Sequence, residues 1–309
     1  MLKIIGKTKI DFVGMRKIAF VFSSILVILG IVSMIAMLLG KGNMGIDFIG
    51  GVTMRGSFNN PVDVAKLRSI VSDAGFGEAQ ITEIHGENIP PNSILIRSKQ
   101  VEAGSDSLLG DRLIQAVRRG MPEDEYILDS IDDIGPSVGE SLQGKARWAV
   151  LLSVLGIMAY IWVRFDFRSG VAASIATFHD VLAIMGIFFL LQKEMNLLFV
   201  TALLTIAGYS LTDTVVVYDR IRENLRLFRK RASFAETINM SINEVLSRTI
   251  ITSLTTLFVI LALLLFGGMV IRDFALALFL GVVVGTYSSW FVASPIIVEW
   301  ENRSPRRLK

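Results

Sequence analysis

Leu197-Leu-Phe-Val-Thr-Ala-Leu-Leu-Thr-Ile-Ala-Gly-Tyr-Ser-Leu-Thr-Asp-Thr-Val-Val-Val217 is apolar along nearly its whole length and holds one carboxylate, Asp213. A bilayer core about 30 Å thick takes about 20 such residues as one helix. The stretch is therefore read as a membrane span with a carboxylate inside it. A charged residue at the bilayer centre costs roughly 2.5–3.5 kcal/mol on insertion scales. Such residues face a bundle interior and mark ion or proton pathways. Asp213 lies about 16 residues into its span, about 24 Å from the end nearer Leu197 at 1.5 Å per residue. Thr205, Gly208, Tyr209 and Thr212 share its helical face.

Six stretches have this length and character: 18–39, 147–164, 170–191, 197–218, 249–267 and 274–298. Hydrophobic residues are 52% of the chain and charged ones 19%, below the usual quarter. The composition is that of an α-helical polytopic membrane protein with one modest water-soluble part. Cysteine is absent, which excludes disulfides and thiol chemistry. The apolar run 18–39 is too long for a signal-peptide core and reads as a retained anchor.

The cations set a topology. Lys3, Lys7, Lys9, Arg16 and Lys17 precede the first span. Arg164 and Arg168 flank the loop between the second and third. Arg220, Arg222, Arg226, Arg229, Lys230 and Arg231 follow the fourth, and Arg303, Arg306, Arg307 and Lys309 end the chain. With six spans all fall on one side, which the positive-inside rule makes cytoplasmic. The expected organisation is a cytoplasmic segment 1–17, a first transmembrane helix 18–39, an outward domain 40–146, a five-helix bundle 147–298 with a cytoplasmic loop 219–247, and a cytoplasmic tail 299–309. The basic run 219–231 reads as a solvated inner helix that fixes topology, with attraction to anionic lipid as the other account.

The outward part reads β-α-β-β-α-β. Strands are expected at 53–58, 79–84, 93–98 and 126–131. Helices are expected at 63–74, with Val64, Leu67, Ile70 and Val71 on one face, and at 108–119, with Leu109, Leu113 and Val117 aligned. This order defines a ferredoxin-like extracytoplasmic domain. The turn Gly45-Ile-Asp-Phe-Ile-Gly-Gly51 is followed by no Lys-Ser/Thr, so it is not a phosphate loop. It reads as a flexible joint.

Other polar residues lie within the spans. Arg248 opens the fifth, where position alone makes it a topology anchor. Thr249, Thr252, Ser253 and Thr256 lie at i, i+3, i+4 and i+7 on one stripe. The stripe lines a hydrated path or packs helices through small hydroxyls. His179 and Asp180 sit near the middle of the third span, as a proton relay or as interhelical hydrogen-bonding groups. Two histidines and no cysteine argue against a metal site. No nucleophile–base pair or nucleotide motif occurs, so neither an enzyme nor a cofactor is expected. Any energy source is the membrane gradient or a partner.

Several long motifs carry a resemblance. They are Gly45–Gly51 as quoted, Phe178-His-Asp-Val181, Tyr209-Ser-Leu-Thr-Asp-Thr-Val-Val-Val-Tyr-Asp-Arg-Ile-Arg-Glu-Asn-Leu225, Leu246-Ser-Arg-Thr-Ile-Ile-Thr-Ser-Leu-Thr-Thr256 and Ile271-Arg-Asp-Phe-Ala-Leu-Ala-Leu278. Together the chain closely resembles the SecF family of bacterial protein-translocase subunits, of the RND superfamily. One departure is Ile49, where the family often carries Thr. The resemblance implies an RND-like bundle, a SecD-like six-span partner, a SecYEG-type channel and an unfolded client polypeptide on the outer side, with no nucleic acid. It implies a multi-pass protein of the bacterial inner membrane, both termini cytoplasmic, that uses the proton gradient in late export. It also places Asp213 and Arg248 in proton passage. Since an arginine does not practically deprotonate, its expected part is to pair with the carboxylate when charged and release it when neutral. The alternative is an RND-type proton-driven exporter of small molecules or lipids. A scaffold whose buried charges are fixed glue is a third reading.

Overall fold

The computed structural model describes residues 8–84, 89–99, 109–122, 124–228 and 232–305. The basic residues Lys3, Lys7, Arg229, Lys230, Arg231, Arg306, Arg307 and Lys309 lie outside them. The chain forms two compact units, Met44–Trp148 and Met1–Asn43 with Ala149–Lys309.

The smaller unit opens with a single helical turn, α2 (Ile46–Ile49), followed by β1 (Gly51–Phe58), α3 (Val64–Asp73), β2 (Gln80–Ile84), β3 (Ser93–Lys99), α4 (Leu109–Gly120) and β4 (Tyr126–Ile134). The sheet order is β2-β3-β1-β4 with every neighbouring pair antiparallel. That is the ferredoxin-like arrangement the element order implies. Asp63 caps α3 by accepting from Ala65 and Lys66 N–H, which sets the helix start. Val52, Met54, Leu67, Val71, Ile96, Leu113 and Val117 are all at most 1% exposed and form one core. Burial is worth about 1.5–3 kcal/mol for each large apolar side chain. A bulge falls between Arg55 and Gly56. A Cβ at Gly56 would lie 2.4 Å from the Tyr126 ring, so only glycine lets that ring cover the strand. Burial, and then the nearby Asp129, push the Tyr126 hydroxyl above its ordinary range.

The 45–51 segment is more ordered than a flexible joint. Ile46 and Phe48 are buried, and Gly50 and Gly51 have φ of 77° and 141°. A Cβ at Gly51 would meet the Ser98 carbonyl oxygen at 2.4 Å. Its glycines serve a tight entry into β1.

The larger unit contains α1 (Arg16–Leu38), most of α5 (Pro136–Arg164), α6 (Phe167–Leu190), α7 (Leu197–Leu227), α8 (Phe234–Phe266), α9 (Gly268–Ser288), a π-helical turn (Ser289–Ala293) and α10 (Ser294–Arg303). Among the described residues, six segments are long and apolar enough to cross a membrane. The helices outrun the apolar stretches. Where a loop over 219–247 is expected, α7 continues to Leu227 and α8 begins at Phe234. Polar contacts hold the extensions together. Arg220 bonds Glu244 and Glu223 at 2.6 Å each, and buried Asn224 bonds Ser241 and Glu244 at 3.0 and 2.7 Å. A capping box of Ser233 and Glu236 starts α8.

Small residues bring helices close. Gly170, Ala173, Thr177, Asp180 and Ile184 mark the buried stripe of α6. At the crossing with α1, a Cβ on Gly30 would lie 2.2 Å from the Leu182 carbonyl oxygen, and one on Gly186 would lie 2.7 Å from the Gly30 nitrogen. Membrane helices associate by such close backbone approach. The π turn has a local cause in Pro295, which has no N–H to donate and crowds the carbonyl four residues back. Ser294 Oγ instead donates to the Ser289 carbonyl at 2.9 Å.

Candidate functional site

The two membrane carboxylates have different surroundings. Asp180, on α6, is 0% exposed. Its Oδ1 lies 2.8 Å from His179 Nδ1, and its Oδ2 accepts from Ser210 Oγ of α7 and from Ser288 Oγ of α9, the latter at 2.8 Å. This carboxyl joins three helices through a saturated set of partners. The adjacent pair His179 and Asp180 do meet, because the imidazole folds back onto the carboxyl. His179 is itself buried. Its Nε2 has no hydrogen-bond partner among the described residues, and its ring lies 6.4 Å from that of Tyr287.

Asp213, on α7, is 7% exposed. Its Oδ2 accepts a long hydrogen bond from Thr286 Oγ1, at 3.4 Å, and Ser253 also bonds the carboxyl. Thr286 lies 2.8 Å from Ser253 Oγ, and Tyr209 donates to Ser253 at 3.4 Å. Tyr209, Ser253 and Thr286 form a row of hydroxyls on α7, α8 and α9 that leads to the carboxyl. Among the described residues Asp213 has no ion pair. A buried anion without a pair is costly. At the next residue of α7, Thr214 Oγ1 lies 3.0 Å from Ser289 Oγ.

Arg248 is exposed on α8 and makes no ion pair among the described residues. The expected contact with Asp213 is not present in this arrangement. The threonine stripe divides. Thr249 and Ser253 are buried, Thr256 is intermediate and Thr252 is exposed. Thr252 and Thr256 return their hydroxyls to the carbonyls of Arg248 and Thr252, at 3.1 and 3.0 Å. Thr249 does the same to Val245 at 3.3 Å. Ser253 alone of the stripe reaches the Asp213 row. On α7, Thr201, Thr205, Gly208 and Thr212 are exposed, while Tyr209 and Asp213 turn inward.

Sequence reasoning missed Ser210, Thr286 and Ser288, which supply most of the carboxylates' partners, and Ser289, which bonds Thr214. The signal was present in Gly285-Thr-Tyr-Ser-Ser289, a polar run inside the apolar 274–298 stretch. Among the described residues no group of three or more His, Asp or Glu is placed to hold a metal.

A six-span bundle with buried, hydroxyl-linked carboxylates and a ferredoxin-like domain between its first two spans defines a class of membrane transport protein. Residues 114–303 match the family described as "Protein export membrane protein SecD/SecF, C-terminal". The protein translocase subunit SecF of Thermodesulfovibrio yellowstonii is 48% identical over 299 residues, covering 96% of this chain and 97% of that one. SecF of Rickettsia felis is 39% identical over 302 residues, covering 96% and 94%. The crystal structure of SecDF, a translocon-associated membrane protein from Thermus, superposes with a TM-score of 0.82 at 38% identity. The match covers 96% of this chain but only 39% of that longer one. A second SecDF structure, in a super-membrane-facing form, gives 0.68 with 97% and 40% covered. The chain belongs to the SecF family of protein translocase subunits.

Proposed function

We propose that this chain works beside a SecD-like six-span subunit at a SecYEG-type channel, and that proton passage through Asp213 drives a late step of protein export. It acts as a transport subunit and not as an enzyme. The carrying observation is the Asp213 site: a buried carboxyl held only by hydroxyls, with no ion pair among the described residues, and a row of hydroxyls leading to it. Each proton crossing 100 mV supplies about 2.3 kcal/mol. That is enough to bias two orientations of the outward domain and so act on an unfolded client chain. Asp180 holds the helices together, with His179 beside it. Arg248 moves toward Asp213 in another state of the cycle.

A partner is supported by the faces left open next to the site. Arg248, Thr252 and Thr255 on α8, and Thr201, Thr205 and Thr212 on α7, are exposed. The threonines bond their own helix, but an arginine facing lipid is expensive. A second six-span unit would cover it. The SecDF chains, of which this chain spans about two fifths, support such a neighbour. Purification of the tagged protein in mild detergent is expected to bring down a second, related six-span subunit in a fixed ratio. Recovery of this chain alone, from cells that contain such a subunit, would refute the partnership.

The basic ends of the spans lie in the cytoplasm of a bacterial inner membrane, and the sheet domain lies outside. Glu78 is exposed on that domain, and cysteine is absent from the chain. Glu78→Cys is therefore a clean reporter. An impermeant maleimide added to cells with the outer barrier opened is expected to label it fully. Labelling only after the inner membrane is broken would invert the orientation.

A further inference from the structure

A cavity of about 770 Å³ opens at the basic end of the bundle, apart from both carboxylates. It lies among the C-terminal end of α5, the start of α6, the last turns of α7, the start of α8, and α10. Four arginines and two acids line it. Two of the arginines are tied. Arg164 grips Asp219 with 2.6 and 2.8 Å contacts, and Arg168 meets Glu301 at 2.6 Å. Arg222 and Arg226 are different. They stand one turn apart on α7, are exposed, and have no ion-pair or hydrogen-bond partner among the described residues. The rest of the wall is apolar and includes Leu225, Phe228 and Val163, the last of these 90% exposed. Beside it, Phe167 packs on Trp300 at 6.1 Å and Arg168 lies 5.9 Å over the Trp300 ring. Aromatic side chains of this kind collect at the head-group level of a bilayer.

We propose that this cavity is a binding site for an anionic phospholipid, with Arg222 and Arg226 on the phosphate and the apolar wall against the glycerol and first acyl carbons. The shared chemistry is a phosphate group. A soluble phosphate would use the arginines but leave the apolar wall idle, whereas a lipid uses both. Basic pockets between helices near a membrane surface recognise phospholipid head groups in this way. The site is independent of the proposed proton path.

The test uses the full chain in mild detergent, with native mass spectrometry during titration of phosphatidylglycerol, phosphatidylcholine or inorganic phosphate. Arg222→Gln with Arg226→Gln is expected to weaken phosphatidylglycerol binding about tenfold or more. The control removes two basic charges at the same end but outside the cavity, Lys17→Gln with Arg303→Gln, and is expected to stay within about twofold. Leu225→Glu, which leaves both arginines in place, should also weaken the lipid. Millimolar inorganic phosphate should not displace it. Equal losses in the cavity variant and the control would show general surface attraction and overturn the site. Equal affinity for phosphatidylcholine, or displacement by inorganic phosphate, would overturn the ligand.

Discussion

Replacing Asp213 by asparagine is expected to leave the protein inserted, folded and bound to its partner while gradient-dependent export falls by about 100-fold, the scale on which positioned proton-transfer groups act. Asparagine has nearly the carboxyl's shape and keeps an oxygen to accept from Thr286, 3.4 Å away in the native site. It cannot take up and release a proton. The loss should appear in export driven by an imposed gradient in inverted vesicles, with melting temperature and subunit recovery unchanged. Glutamate at the same position titrates but reaches further, and partial activity is expected. Normal gradient-dependent export by the Asp213→Asn variant would refute the proton-carrier role and leave Asp213 as an interhelical hydrogen-bonding group.

Gly30→Leu is expected to be among the most damaging single changes for the stability of the bundle. A Cβ there would fall 2.2 Å from the Leu182 carbonyl oxygen and 2.6 Å from its carbon. Both are backbone atoms of α6, so no side-chain rotation relieves the clash. Helices α1 and α6 must separate. Overpacking typically costs about 1–3 kcal/mol and occasionally more, and a backbone obstacle puts this case at the upper end. The separation would also strain Tyr287, whose hydroxyl donates to the Ala19 carbonyl at 3.0 Å and lies 3.1 Å from Ser23 Oγ. Gly156→Leu on α5 is the matched control, because a Cβ there meets nothing within 4 Å. It should be neutral or slightly stabilising, since glycine in a helix interior costs about 1 kcal/mol against a good helix former. Heating both variants in the same detergent and following the loss of compact protein gives the comparison. Equal melting temperatures for Gly30→Leu and the native chain would mean that α1 is not held at this crossing.

Asp213 was legible as a functional candidate because one carboxylate in an apolar run is conspicuous by composition. Arg248 was legible as a residue but not in its setting. The structure leaves it exposed, and its partnership with Asp213 belongs to the proposal. The threonine stripe illustrates a different limit. Helical spacing puts Thr249, Thr252, Ser253 and Thr256 on a common side, yet that side is wide enough to be split between a buried edge and an open one. Only Ser253 meets the carboxylate's hydroxyl row. The serines of the sixth span were overlooked because single hydroxyls barely lower hydropathy and commonly bond their own helix.

By itself the sequence determined the number of spans, the presence of a β-α-β-β-α-β domain between the first two, and the rarity of the charges inside the bundle. Those features rest on run length, two-residue alternation and composition, which are local and readable along one dimension. The tertiary structure decided what each buried charge touches. It made Asp180 a junction of α6, α7 and α9, and left Asp213 to hydroxyl partners with no ion pair among the described residues. It also made Gly30 and Gly186 a backbone crossing, turned the 219–247 stretch into two helical extensions, and enclosed a basic cavity between five segments. Each depends on which faces of separate helices meet, and that is set by interhelical packing between residues far apart in the chain, which no local pattern encodes.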